Sequence, residues 1–374
     1  MRQLAYMLTL ICTTSLSYAA HARTFEAEGS DLFVGVGAKQ IAMGGAAAAS
    51  ADDIYAIYWN PAGLAEMNST QISLSRQLNA TLSPINFFGI GIVSEKLNFS
   101  GLKSTLSFGL LPRLHAASTG AYQEDELQSM FLRFALPDLP GNFDGKLETK
   151  TRDYRLSWAI TPQNQPSWSI GVSLSRIECR TNFCGVSAND PGNYIVESTT
   201  ATAYGFHFGG KYYYSDNLTF GLNVEDVLTE LDVQITTIDN NGTTNKTFQV
   251  PLPRDIAVGL LWRKTPALDL TLDYQYLSGD YGVYNLDIQA LRGGVSYKSG
   301  AFDYRGGFII PAVIESAKTG SVMGELPAPV LPSIGLGWNN KKWKMDFSLY
   351  PHPLMSYHHK AIYPAADLSL SYTF

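Results

Sequence analysis

Beyond Leu16 this chain has no apolar run approaching the ~18 residues that a membrane-spanning helix requires, which excludes an α-helical membrane protein. Charge is sparse as well: Asp, Glu, Lys and Arg make up 16% of residues, 27 of them basic and 33 acidic. With no basic cluster and a net charge of -6, nucleic acid is not an expected partner. Cysteine is limited to Cys12, Cys179 and Cys184, with no further Cys or His near the last two in sequence to complete a zinc ligand set. No Gly-x-Ser-x-Gly elbow occurs, and Gly35-Val36-Gly37 lacks the third glycine of a phosphate-binding loop. The expectation is a protein that is not an enzyme, with no catalytic residue, metal or cofactor.

What is present begins with the N-terminus. Arg2, an apolar stretch from Leu4 to Leu16 and the small-residue pattern Ala20-His21-Ala22 have the layout of a secretory signal peptide cleaved near Ala22. Leu10-Ile11 precede Cys12 where a lipoprotein would have a small residue, so lipid attachment there is not expected.

The 21 Tyr, 18 Phe and 33 Gly then fit a chain of exposed, aromatic-rich strands. In the last segment Leu368, Leu370, Tyr372 and Phe374 share one face and Asp367, Ser369, Ser371 and Thr373 the other. Trp343, Met345, Phe347 and Leu349 oppose Lys344, Asp346 and Ser348 in the same way, as do Leu268, Leu270, Leu272 and Tyr274 against Asp269, Thr271 and Asp273. Such period-two alternation suits a membrane strand with lipid on one side and a lumen on the other, and equally a soluble sandwich. Loop lengths decide between them.

Fourteen strands are expected at about 70–78, 85–95, 103–111, 150–161, 167–178, 200–214, 217–226, 254–264, 268–278, 288–298, 301–310, 331–339, 342–350 and 366–374. Short turns at 215–216, 265–267 and 299–300 alternate with mostly longer connections such as 112–149, 179–199, 227–253 and 311–330. A bacterial outer-membrane barrel shows this asymmetry, with both termini on the periplasmic side. Trp158, Trp262, Trp338, Tyr276 and Tyr297, near strand ends, suit the interfacial belts. The fold class is therefore all-β: a transmembrane antiparallel barrel over 70–374, preceded by a signal peptide at 1–22 and a separate segment at 23–69.

That segment has another texture. Gly44 and Gly45, the run Ala46 to Ala49, Asp52-Asp53 and Asn60-Pro61-Ala62-Gly63 are small, turning and unlike a strand, and would pack inside a lumen as a plug. Here the chain resembles the FadL/TodX family of outer-membrane transport proteins for hydrophobic compounds, whose N-terminal hatch carries a glycine-rich stretch, an acidic pair and an Asn-Pro-Ala motif. The resemblance implies a fourteen-stranded barrel, a hatch, and a hydrophobic small-molecule cargo such as long-chain fatty acids or aromatic hydrocarbons. Tyr58-Trp59-Asn60-Pro61-Ala62-Gly63-Leu64-Ala65 is also similar to the PorV/PorQ-like barrels that assist secretion and surface attachment, which implies protein partners instead. The C-terminal Phe374 resembles the terminal signature read by the barrel-assembly machinery. Outer-membrane lipids would be the remaining partner.

Several residues are candidates for function. Leu127, Met130, Phe131, Phe134 and Leu136 crowd the 112–149 connection, and the first four fit one face of a short helix, as an external apolar landing site. Asp52, Asp53 and Asn60 are expected to hold turns and to anchor the plug to inward cations such as Arg155, Arg292, Arg305 and Lys344, which Asp269, Asp273, Asp303 and Asp346 balance. Cys179 and Cys184 are expected to form a small disulfide loop in an oxidising compartment. His352, His358 and His359 are expected to be solvent-exposed in the last external loop, and His207 to point inward.

Overall fold

A computed structural model describes residues 24–28, 34–78, 86–122, 143–180, 184–189, 195–239, 242–280, 285–316 and 330–374. The expected signal peptide and the cluster Leu127, Met130, Phe131, Phe134 and Leu136 lie outside them. The chain forms one antiparallel sheet of eighteen strands. In order these are β1 (Thr24–Glu28), β2 (Gln71–Gln77), β3 (Phe87–Val93), β4 (Leu102–Tyr122), β5 (Phe143–Pro162), β6 (Trp168–Arg180), β7 (Cys184–Asn189), β8 (Ile195–Ser215) and β9 (Leu218–Glu225). There follow β10 (Glu230–Asp239), β11 (Gly242–Pro251), β12 (Arg254–Thr265), β13 (Leu268–Asp280), β14 (Asn285–Ser299), β15 (Phe302–Ser316), β16 (Leu331–Asn340), β17 (Trp343–Pro351) and β18 (Pro364–Thr373).

Fourteen of these make the wall. Each pairs with the next, β6 passing to β8 and β9 to β12, and β18 returns to β2 with Ser369 opposite Ser75. The sheet is a closed barrel. Closure matters because a backbone group facing hydrocarbon has no water to bond, so an open edge could not span. The expected alternation is present: Leu368 and Leu370 point outward while Asp367, Ser369 and Ser371 are buried. Trp158, Trp262 and Tyr297 are exposed on the outer surface.

The remaining strands correct the loop assignments. β1 runs beside the far half of β4, β7 beside β5, and β10 beside β8 while forming a hairpin with β11. All four lie at the end where the long connections were expected, and β4, β5, β8 and β15 also continue beyond their expected limits. Past the lipid, water can bond a free edge and the outward face no longer has to be apolar. The alternating signal therefore fades although the pairing continues.

Residues 34–70 do not join the wall. They turn through two short helices, Ala38–Ala42 and Ala56–Trp59, and a 3-10 helix, Pro61–Glu66. The 3-10 helix packs on β4, β5, β6 and β8, while Ala38–Ala42 packs on β15 to β18, so the segment bridges the lumen. It is almost wholly buried, with Ile54, Tyr55, Ile57 and Leu64 clustered against Phe87 and Leu111 of the wall.

Candidate functional site

The lumen around this N-terminal segment is the candidate site, and glycine shapes it from both sides. Gly44 has a φ of 69° in the left-handed region, and a Cβ there would press on the wall carbonyls of Gly293 and Phe308. Wall glycines reciprocate. A Cβ at Gly171 would overlap the Pro61–Ala62 peptide, one at Gly209 the Asn60 side chain, one at Gly221 the Ala48 carbonyl and one at Gly307 the Gly44 amide. Glycine inside a strand marks such close backbone approach.

Asn60 holds one side. Its Oδ1 accepts from Ala62 N at 3.0 Å, capping the 3-10 helix that begins with Pro61, and its Nδ2 donates to Ala48 O and, at 3.2 Å, to Gly210 O of β8. Gly63 fits against Ala51, where any Cβ would strike the Ala51 carbonyl. Lys211 of β8 donates to Ala51 O at 2.9 Å and pairs with Glu66. On the other side Ser369 accepts from Ala38 N at 2.8 Å and Ser333 from Gly44 N at 3.2 Å. Arg292 donates to Gly44 O at 3.1 Å and lies over the Trp59 ring, near Gly45, while Asp273 accepts from Ala48 N at 2.7 Å.

The acidic pair divides its work. Asp53 accepts from Gln40 Nε2 at 3.0 Å and Tyr55 N at 3.1 Å, and meets Lys344 of β17 at 3.3 Å. Asp52 is half-exposed and pairs with Lys39 inside the segment. Partial burial works to raise its pKa, but the neighbouring Lys39 and Lys344 outweigh it and hold the carboxylate below its usual range. Of the expected cationic anchors, Lys344 meets an acidic residue of the segment. Arg155 and Arg292 instead reach backbone carbonyls, of Ile57 and Gly44, and Arg305 bonds Asp303 and Asp346 within the wall.

A denser network lies where β5, β6, β8 and β9 meet. Arg155 is fully buried, bonds Asp153 at 2.7 Å and Glu225 at 3.0 Å, and donates to Ser175 Oγ and Ile57 O. Arg113 pairs with Asp226. His207 points inward, as expected, and is buried beside them.

The last connection needs a correction. His352 is not exposed: it is fully buried at the foot of a helix, Pro353–His359, with Nδ1 accepting from Met355 N at 3.4 Å. Burial lowers its pKa from 6.5 to about 4. The chain doubles back here, with His352 N bonded to Tyr363 O, which covers a residue that loop position alone would expose. His359 is exposed. Cys179 is disulfide-bonded; the side chain of its expected partner, Cys184, is outside the described ones.

The two ends of the lumen differ. Toward the short turns a polar cavity of about 550 Å³ opens, lined by Lys39, Asp52, Asp53, Glu66, Arg263 and Lys344 among others. Toward the long connections the inward rows of β13, β14, β16, β17 and β18 end in Leu277, Ile288, Ala290, Leu331, Tyr350 and Ala365. Tyr350 and Ala365 cluster with Val34 and Ile41 of the N-terminal segment, beside a pocket of only about 10 Å³. The N-terminal segment contributes to both, with Lys39, Asp52 and Asp53 on the polar side and Val34 and Ile41 on the apolar side.

No protein-family model matches the sequence, and no curated protein matches it. Solved structures do. The toluene transporter TbuX of Ralstonia pickettii is similar with a TM-score of 0.58 at 14% identity, over 92% of this chain and 99% of that one. The toluene transporter TodX of P. putida gives 0.53 at 13% identity, over 91% and 99%. A Pseudomonas aeruginosa FadL homologue gives 0.57 at 9% identity, over 93% and 99%. The fold is that of the FadL/TodX barrels. The resemblance read from the opening motif thus extends, in fold, across nearly the whole FadL/TodX-type barrel.

Proposed function

We propose that this FadL/TodX-type barrel sits in the outer membrane after cleavage near Ala22 and carries hydrophobic small molecules, long-chain fatty acids or aromatic hydrocarbons, past a movable plug, which the sequence sets at residues 23–69 and which the pairing of Thr24–Glu28 with β4 trims to residues 34–69. The observation that carries the reading is the change of lumen chemistry across the N-terminal segment. An apolar ligand gains by burial, at ~25 cal/mol per Å², against Leu277, Ile288, Leu331 and Tyr350 at the long-loop end. It is released into the polar cavity at the other end, where nothing favours retention. The likeness to barrels described as toluene transporters supports the same class of cargo. In this reading Leu127, Met130, Phe131, Phe134 and Leu136 form the external landing site, Cys179–Cys184 staples a neighbouring loop, and Phe374 is read by the assembly machinery.

Purified protein is expected to bind a long-chain fatty acid or toluene stoichiometrically, and Phe131→Asp with Phe134→Asp to abolish uptake by intact cells. Wild-type uptake in that double variant removes the landing site. Absence of any apolar ligand binding removes the transport reading. The β10–β11 hairpin, which reaches beyond the wall, favours a second reading, a secretion-accessory barrel presenting external strands to protein partners. Co-purification with a secreted protein and no bound lipid would support it.

A further inference from the structure

One group of side chains in the wall is left over by transport. His207 of β8 has its Nε2 2.7 Å from Ser175 Oγ, and the same hydroxyl accepts from Arg155 Nε at 3.1 Å. The Ser175 hydroxyl has room to accept from Nε2–H as well as from Arg155, and in that tautomer, the one a metal ion selects, Nδ1 carries the imidazole lone pair. That Nδ1 makes no hydrogen bond, although the residue is fully buried. It faces Asp226 Oδ1 at 3.9 Å and Glu225 Oε2 at 4.0 Å, beyond hydrogen-bond reach in either tautomer. Asp226 Oδ1 is also buried without a hydrogen bond.

A lone pair aimed at two carboxylate oxygens is repulsive unless positive charge lies between them. Arg113 and Arg155 place their hydrogen bonds elsewhere, on Asp226 Oδ2 and Glu225 Oε1; Arg113 Nη1 stands 3.9 Å from Glu225 Oε2, outside hydrogen-bond reach, and the second oxygen of each carboxylate faces His207. Three carboxylates, Asp153, Glu225 and Asp226, surround these two guanidiniums, so one negative charge is left over. Gly205 lies alongside, where a Cβ would come 3.1 Å from Asp226 Oδ1 and 3.4 Å from His207 Nε2. The positive φ of Asp226, 54°, turns its carboxylate there just past the end of β9.

We propose that His207, Glu225 and Asp226 bind one divalent cation of the zinc class, with Ser175 orienting the imidazole from behind. The three ligand atoms lie within 4.8 Å of one another. Bonds of ~2.0–2.2 Å to a tetrahedral ion place ligands roughly 3.4 Å apart, so the side chains close by about half an ångström. The nitrogen ligand excludes calcium and magnesium, which take oxygen. The ion ties β8 to the end of β9, beside the arginine that holds Ile57, and it acts independently of the cargo.

The test refolds the full chain into detergent with Zn2+, removes free metal, and measures bound zinc and its X-ray absorption. About one zinc per barrel is expected, with one imidazole and carboxylate oxygens in its shell. His207→Gln and Asp226→Asn should each lower affinity by at least tenfold, and Ser175→Ala by tenfold or more through loss of orientation. His358→Ala with His359→Ala, in the last loop, should leave binding unchanged. Substoichiometric zinc in the wild type, or zinc retained by both ligand variants, overturns the proposal. Should those variants fail the heat-shift test for a folded barrel, the wild-type spectrum decides alone, and a shell without imidazole rejects the site.

Discussion

Replacing Asn60 by Ala tests how the N-terminal segment is held in the barrel. The change removes the acceptor that caps the Pro61–Glu66 helix, which is worth about 1 kcal/mol. It also strips the donor from Ala48 O, and a buried carbonyl left unpaired costs about 1–3 kcal/mol. The wall bond to Gly210 O is lost with it. A total near 3 kcal/mol falls on docking and not on the wall, because the fourteen-strand ladder does not use this side chain. At 1.4 kcal/mol per decade, the undocked population rises roughly a hundredfold. Hydrogen exchange across residues 34–67 should speed by that factor while exchange in β12 to β14 stays unchanged, and planar-bilayer recordings should show openings absent from the wild type. Asn60→Ser, which keeps the capping oxygen, should recover about 1 kcal/mol. Wild-type exchange in Asn60→Ala would refute the assignment of Asn60 as an anchor.

Two further outcomes follow from the same geometry. Gly171→Ala forces a Cβ into the Pro61–Ala62 peptide and should cost about 1–3 kcal/mol or more, whereas Gly306→Ala meets nothing nearer than 3.7 Å and should melt within about 0.5 kcal/mol of the wild type. For His352, the unfolded loop takes up a proton below about 6.5 and the folded one only below about 4, so stability rises with pH between these values and is lost on acidification. The full window is worth about 3 kcal/mol; the protection factor of the Pro353–His359 helix, which is exchange corrected for its intrinsic pH dependence, should fall from pH 6.5 to 4 in the wild type and stay flat in His352→Gln.

Much of the wall is legible in sequence because lipid imposes a rule on every second residue. Leu268 to Tyr274 or Leu368 to Phe374 can be read directly, and strands such as β12, β13 and β16 begin where the alternation does. That rule says which face looks inward and nothing about what the face meets. Gly171, Gly209 and Gly221 stand in β6, β8 and β9 as gaps in the pattern; their spacing inside strands was the available signal for a close-packed lumen, and it needs the partner segment to be interpreted. Arg113, Arg155, His207, Glu225 and Asp226 span more than a hundred positions and converge only through closure. His352 shows the converse error, since an external loop position does not reveal a helix that folds back over it.

If the barrel carries an apolar cargo as proposed, that cargo can open it only by binding the undocked arrangement better than the docked one. The place where such a difference can arise is Ile41. It is buried against Tyr350 and Ala365, so an apolar ligand at the long-loop end competes with it for the same surface. Ile41 belongs to the short helix that also carries Lys39, which pairs with Asp52 beside the polar cavity at the other end. Displacing one face of that helix therefore disturbs the other. Ile41→Ala removes about 2–4 kcal/mol of docking by truncation and leaves room for ligand, so uptake should rise and the barrel should leak. Ile41→Met keeps the volume and should transport at the wild-type rate. If uptake and leak are the same in Ile41→Ala as in the wild type, the helix Ala38–Ala42 is not the element that cargo moves.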